Sequence, residues 1–202
     1  MINTENGNIG ITAAHCLLND DGVVHNNLAF SPGYDSGTPG PHGLIPVEFV
    51  AVPSEYDGTG DNKPPVYDYG MMRMKFNDPN GYKLQQYTGA NGWRLDVEGD
   101  KILTTVFGYP SDGNMPKCPN DGHHLCAFIG DVKTSETLYV IPGMNLGVGV
   151  SGASFTVNHD TNRNLGYTYG SDSSFFEDGD QTEGPRYNPV EFNNILALVS
   201  NN

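Results

Sequence analysis

Short apolar runs broken by Gly, Pro, Asn and Asp make up most of the chain, and several of them alternate with a period of two. Gly70, Met72, Met74 and Phe76 fall on one face of a segment whose other face carries Arg73 and Lys75, which predicts a strand over 69–76. Val47, Phe49 and Ala51 alternate in the same way and predict a strand over 44–52. Further strands are expected at 101–109, 137–141, 153–158 and 165–169, and Ile9 to Thr12 reads as a strand end. Residues 19–43 and 53–66 carry the polar, Gly- and Pro-rich composition of loops. One segment has helical periodicity. Asn188 stands at its N-cap, Pro189 at the first helical position and Glu191 at the capping-box position. Phe192, Ile195, Leu196 and Val199 then follow at i, i+3, i+4 and i+7. The pattern predicts a β body closed by an amphipathic helix, without internal repeats.

Composition sharpens this picture. Glycine and proline together are 26 + 14 = 40 of 202 residues, about a fifth, against a usual share of about 12%. Spread between apolar runs, they act as turn punctuation of an all-β protein. Eleven Tyr, nine Phe and many Val and Ile argue against a disordered chain. The formal charge is 10 − 24 = −14, which disfavours nucleic acid and anionic membrane as partners and attracts basic ligands. No apolar run approaches the ~18 residues of a membrane span. Residues 1–8 are polar and lack the apolar core of a signal peptide.

Three local phrases carry candidate chemistry. His15 lies in Ile11-Thr12-Ala13-Ala14-His15-Cys16, where small residues allow a close backbone turn at a cleft. Asp68 precedes the apolar strand from Tyr69, placing a carboxylate at a core edge. Asp57 and Asp61 are rivals, but neither leads into an apolar strand. Ser151 lies in Gly149-Val150-Ser151-Gly152. Gly149 has access to backbone angles closed to other residues, so its N–H and that of Ser151 are able to converge as an oxyanion hole. Ser154 is a rival nucleophile without a glycine two positions before it. A serine hydroxyl becomes a good nucleophile when an imidazole takes its proton and a carboxylate fixes the imidazole's tautomer. Each residue alone also has a bland reading: a structural histidine, an exposed strand-start aspartate, a Gly-rich turn.

With these phrases, Ser31-Pro32-Gly33-Tyr34, Val106-Phe107-Gly108-Tyr109-Pro110 and Leu165 to Gly170, the chain resembles trypsin-like serine peptidases of the secreted microbial type related to glutamyl endopeptidases. The resemblance implies an all-β fold of two packed antiparallel six-stranded barrels with a C-terminal helix. Residues 1–90 would form the first barrel and 91–202 the second with the helix. It further implies a His15, Asp68, Ser151 triad, an oxyanion hole from Gly149 and Ser151, and no cofactor or metal. By the same alignment Asn145 would lie at the base of the substrate pocket, and Thr168, Tyr169 and Gly170 along one wall. An uncharged Asn145 disfavours trypsin-like selection of Lys or Arg, and a preference for an acidic side chain would need a cation or donors in the pocket.

The departures are specific. Gly152-Ala153-Ser154 replaces the family's Gly-Gly-Pro or Gly-Ser-Pro, and Val150 replaces an Asp or Asn, which removes the acid used in trypsin-like zymogen activation. The secreted resemblance favours a local disulfide between Cys118 and Cys126, with free thiols or a zinc site including His123 and His124 as alternatives. Cys16 is left without its usual upstream partner, and the histidine arrives early, so an incomplete first barrel is expected. Asp20-Asp21 and Asp178-Gly179-Asp180 read as solvated loop charge rather than calcium loops. The leading expectation is a secreted, monomeric serine endopeptidase acting on protein or peptide substrates. The alternatives are an inactive protease-like binding protein or truncated product, and an unrelated β-rich adhesion or carbohydrate-binding module.

Overall fold

A computed structural model describes residues 1–57, 65–176 and 181–201, with the side chains of 174–176 excepted. The rival Asp61 and the pair Asp178 and Asp180 lie outside the described residues. Strands β1 (Ile9–Thr12), β2 (Ala29–Phe30), β3 (Ile45–Ala51) and β4 (Gly70–Met74) form one antiparallel sheet in the order β1-β4-β3-β2. A short helix α1 (Gln85–Thr88) precedes the second sheet. That sheet contains β5 (Gly92–Trp93), β6 (Ile102–Gly108), β7 (Cys126–Ser135), β8 (Leu138–Pro142), β9 (Ser154–Asp160), β10 (Leu165–Ser171), β11 (Ser174–Phe176) and β12 (Gln181–Pro185). Its order is β11-β12-β8-β7-β6-β9-β10-β5, antiparallel except for the β10–β5 pairing. The chain closes with α2 (Pro189–Asn201).

The all-β class and the terminal helix match the reading of the sequence. The strands divide four and eight among the described residues, not six and six. His15 follows a single strand, and β5 pairs with β10 in the larger sheet.

Strand β4 shows why its period-two pattern told only half the story. Met72 and Met74 face a small cluster with Ile45 and Leu84. Met71 and Arg73 face the other way, where α2 covers them. Helix α2 buries Phe192, Ile195 and Val199 against Ile9, Ile11, Tyr69 and Met71. Arg73 is therefore buried as well. Its Nε meets Glu48 Oε1 at 2.7 Å, and Nη1 donates to the Val199 carbonyl at 2.9 Å. A cation there complements the negative end of the helix dipole. Asn188 caps the helix as predicted, its Oδ1 accepting from the N–H groups of Val190 and Glu191. Glu191 reaches outward to Ser54 rather than completing the capping box.

The second core lies within the larger sheet around Val106, Phe128, Ile141, Val150, Phe155 and Tyr169. Cys118 and Cys126 form a disulfide with Cα atoms 5.6 Å apart. Closing so short a loop is worth about 2–3 kcal/mol by chain entropy. Cys16 is a free thiol. Among the described residues no helix is long and apolar enough to cross a membrane.

Candidate active site

Strand β1 ends at Thr12, and the chain turns at once through a single 3-10 turn, Ala14–Cys16, that carries His15. Ala13 and Ala14 are fully buried, so the turn seats against the core and leaves the imidazole partly exposed. Asp68 is presented by the residues just before β4, the neighbour of β1, which brings it under His15. Its carboxylate is 1% exposed.

The two residues are joined twice. Asp68 Oδ1 accepts from the His15 backbone N–H at 2.9 Å, and Oδ2 meets His15 Nδ1 at 2.7 Å. With Nδ1 bound to the carboxylate, Nε2 is the ring nitrogen left uncommitted among the described residues. Ser173 Oγ also donates to Asp68 Oδ2, so a carboxylate removed from water keeps charge-assisted partners. Burial by itself lowers the His15 pKa. The hydrogen bonds to Asp68 and Cys16 and the negative charge of Asp68 outweigh it, and the net effect raises the imidazole above its usual 6.5.

Ser151 is brought to this pair from the second sheet by a backbone turn ahead of β9. The Cys16 thiol, next in sequence to His15, donates to the Ser151 carbonyl at 3.8 Å. Gly152 has φ +82°, and a Cβ there would lie 2.1 Å from Thr12 Oγ1 and 2.6 Å from the Ala13 nitrogen. Only glycine lets the serine turn close on the histidine turn in this way. Gly149 has φ +94° with the Tyr109 carbonyl on its side-chain side, so it too is confined to glycine. Among the described residues neither the Gly149 nor the Ser151 N–H donates to another group. Likewise no hydrogen bond joins the Ser151 hydroxyl to the His15 ring. Val150 is buried in the second core against Gly108. Ser154 is taken into β9, opposite Ser171.

The other expected positions make these contacts. Asn145 Oδ1 turns back to accept from the Gly147 N–H at 2.8 Å. Tyr169 is fully buried with its hydroxyl on Thr104 and its ring 4.6 Å from that of Tyr139. Thr168 is buried, and its hydroxyl donates to the Gly170 carbonyl. A Cβ on Gly170 would meet the Tyr139 ring, which places this glycine in the core contact too. The strand instead reaches the site just past β10, at Asp172 and Ser173. Asp172 N donates to Ala153 O, and Gly152 N donates to Asp172 O, both at 2.8 Å. The sequence reading missed these two residues. The signal was present: a lone acid flanked by serines at the end of an apolar strand. The Asp121–His124 pair, at 2.7 Å, stays within the exposed disulfide loop and holds Asp121 down to about 2, chiefly through the His123 N–H.

No family model and no curated protein matches the chain. Solved structures share its fold. The protease Anisep from Arthrobacter nicotinovorans is 21% identical over 100% of this chain and 87% of its own, with a TM-score of 0.76. The thermostable serine protease AL20 from an extremophilic microorganism is 22% identical over 100% and 89%, with a TM-score of 0.78. A Glu endopeptidase solved in complex with MPD is 20% identical over 96% and 81%, with a TM-score of 0.73. These likenesses establish the fold as that of chymotrypsin-type serine proteases.

Proposed function

We propose that the chain is a serine endopeptidase in which Ser151, His15 and Asp68 act as a triad. One observation carries the reading: the buried Asp68 carboxylate holds both the ring and the backbone of His15, beside the turn bearing Ser151. Ser151 Oγ attacks the substrate carbonyl while His15 Nε2 takes its proton. Asp68 stabilises the imidazolium that results. The uncommitted Gly149 and Ser151 N–H groups suit them to receive the oxyanion, each such donor being worth about 3 kcal/mol. His15 then gives its proton to the leaving amine, and water hydrolyses the acyl-enzyme by the same steps in reverse. No cofactor enters this scheme. The substrate is a protein or peptide, and the disulfide suits an extracellular site of action. Nucleic acid is disfavoured as a partner by the charge of −14. A monomer is sufficient, because one chain supplies all the parts.

A second reading has its own support in the missing Ser151–His15 hydrogen bond: a protease-like protein that binds without cleaving. Catalytic hydrogen bonds are often long in unliganded sites and tighten in the substrate complex. Hydrolysis of a peptide library by the wild type and by Ser151→Ala separates the two. The triad predicts cleavage that falls by about 10^6-fold in the variant. A wild type that binds peptides and leaves them intact supports the second reading.

A further inference from the structure

Among the described residues, Asp172 is a buried acid beside this site that the proposed mechanism leaves without a task. It is 4% exposed, and among the described residues its Oδ1 is buried with no hydrogen-bond partner. Its backbone is bonded to both Gly152 and Ala153, so the residue is locked to the turn that follows Ser151. The residue after it, Ser173, holds Asp68, and Asp172 lies near enough to feel the charges of both His15 and Asp68. Burial is the main effect on it. It pushes the carboxyl up to about 8, with His15 opposing and Asp68 adding to the rise. A carboxyl left unpartnered in such a place costs stability, and groups of this kind cluster where a ligand is met.

Resting on the peptidase reading, we propose that Asp172 is the specificity-determining residue of the cleft, selecting a cationic side chain, lysine or arginine, immediately before the scissile bond. An ammonium or guanidinium would supply the partner the carboxyl lacks and draw it into its ionised form. An apolar side chain would leave the group as unsatisfied as it is now. A carboxylate side chain would face Asp172 with Asp68 close behind. Asn145 does not compete for the role, since its Oδ1 is committed to Gly147. The chain's charge of −14 steers cationic segments towards any cleft it forms.

The test uses benzamidine, an aromatic cation, with a peptide panel varied only at the residue before the cut. Benzamidine is expected to raise the melting temperature of the wild-type chain, and the shift is expected to vanish in Asp172→Asn and in Asp172→Ser. Wild-type kcat/KM is expected to favour Lys and Arg over Leu and Glu by about hundredfold, as removal of one partner from a buried charge pair does. That preference should fall at least about tenfold in Asp172→Asn. A wild type blind to benzamidine overturns the proposal. So does an Asp172→Asn chain that binds benzamidine as the wild type does, or a panel led by Glu or Leu. Fluorophosphonate labelling of the wild type tests the peptidase reading separately. A labelled chain blind to benzamidine keeps the peptidase and loses the cation site. An unlabelled chain that binds benzamidine through Asp172 keeps the cation site and loses the catalysis.

Discussion

The two sides of the site are held together by different means. On the first-sheet side, His15 and Asp68 are fixed by side-chain chemistry: two hydrogen bonds between them and a third from Ser173. On the second-sheet side, Ser151 is placed by the shape of its backbone, between glycines at φ +94° and +82° with the Cys16 thiol on its carbonyl, and its hydroxyl makes no bond to the histidine. An acid–base pair must keep its geometry while charge moves through it, so its hydrogen bonds are made in advance. The nucleophile and the oxyanion donors must instead stay unsatisfied until a carbonyl arrives. A turn shaped by glycine achieves that without occupying the donors.

The comparison is broken most severely by Asp68→Asn. The amide keeps the shape but reverses the tautomer of His15, and kcat should fall by about 10^4-fold with the fold intact, read from steady-state kinetics and circular dichroism. A loss below tenfold would mean the pair is not the acid–base engine. The same pair sets the pH profile. His15 acts as a base only when neutral, so kcat/KM should rise with pH through an inflection above 6.5, and that inflection should move down in the variant. For stability the sign is opposite. The raised pKa contributes stability that is fully present below 6.5 and is lost as pH rises through the folded-state value.

Gly152→Ala probes the other side. Its Cβ would strike Thr12 Oγ1 and the Ala13 nitrogen, so the serine turn must back away from the histidine turn. A displacement of about 1 Å at the reacting atoms costs roughly 10^2-fold in kcat. Wild-type activity in this variant would show that the close approach of the two turns is irrelevant. The smallest effect is expected from Ser173→Ala, which removes one charge-assisted bond to Asp68 and should cost about tenfold, with a shifted pH profile. A loss in activity without that shift would assign Ser173 to packing alone.

The same contrast explains what the sequence revealed. His15, Asp68 and Ser151 stood in local phrases of small residues, strand starts and glycines, where neighbours dictate backbone shape. Strands with apolar alternation, such as β3, β4 and β6, were legible for the same reason. Strand β12, Gln-Thr-Glu-Gly-Pro, carries no apolar signal and exists because β8 and β11 pair with it. Strand β7 does alternate, with Cys126, Phe128 and Val132 buried, but begins at the cysteine that closes the disulfide loop. Ser173 and Asp172 acquire their roles only through contacts with residues more than a hundred positions away or across a turn, so the acid flanked by serines that marks them in the sequence pointed to no function by itself. The side chains of Thr168 and Tyr169 are buried, with Tyr169 packed on Tyr139 across a ladder that carries bulges between β9 and β10, contacts that only the fold creates.

The most direct measurement is covalent labelling with a fluorophosphonate, mapped by peptide mass analysis in the wild type, Asp68→Asn and Ser151→Ala. One adduct is expected, on Ser151, formed quickly in the wild type, far more slowly in Asp68→Asn and absent from Ser151→Ala. An unlabelled wild type, an adduct on Ser154, or undiminished labelling of Ser151→Ala would contradict that expectation.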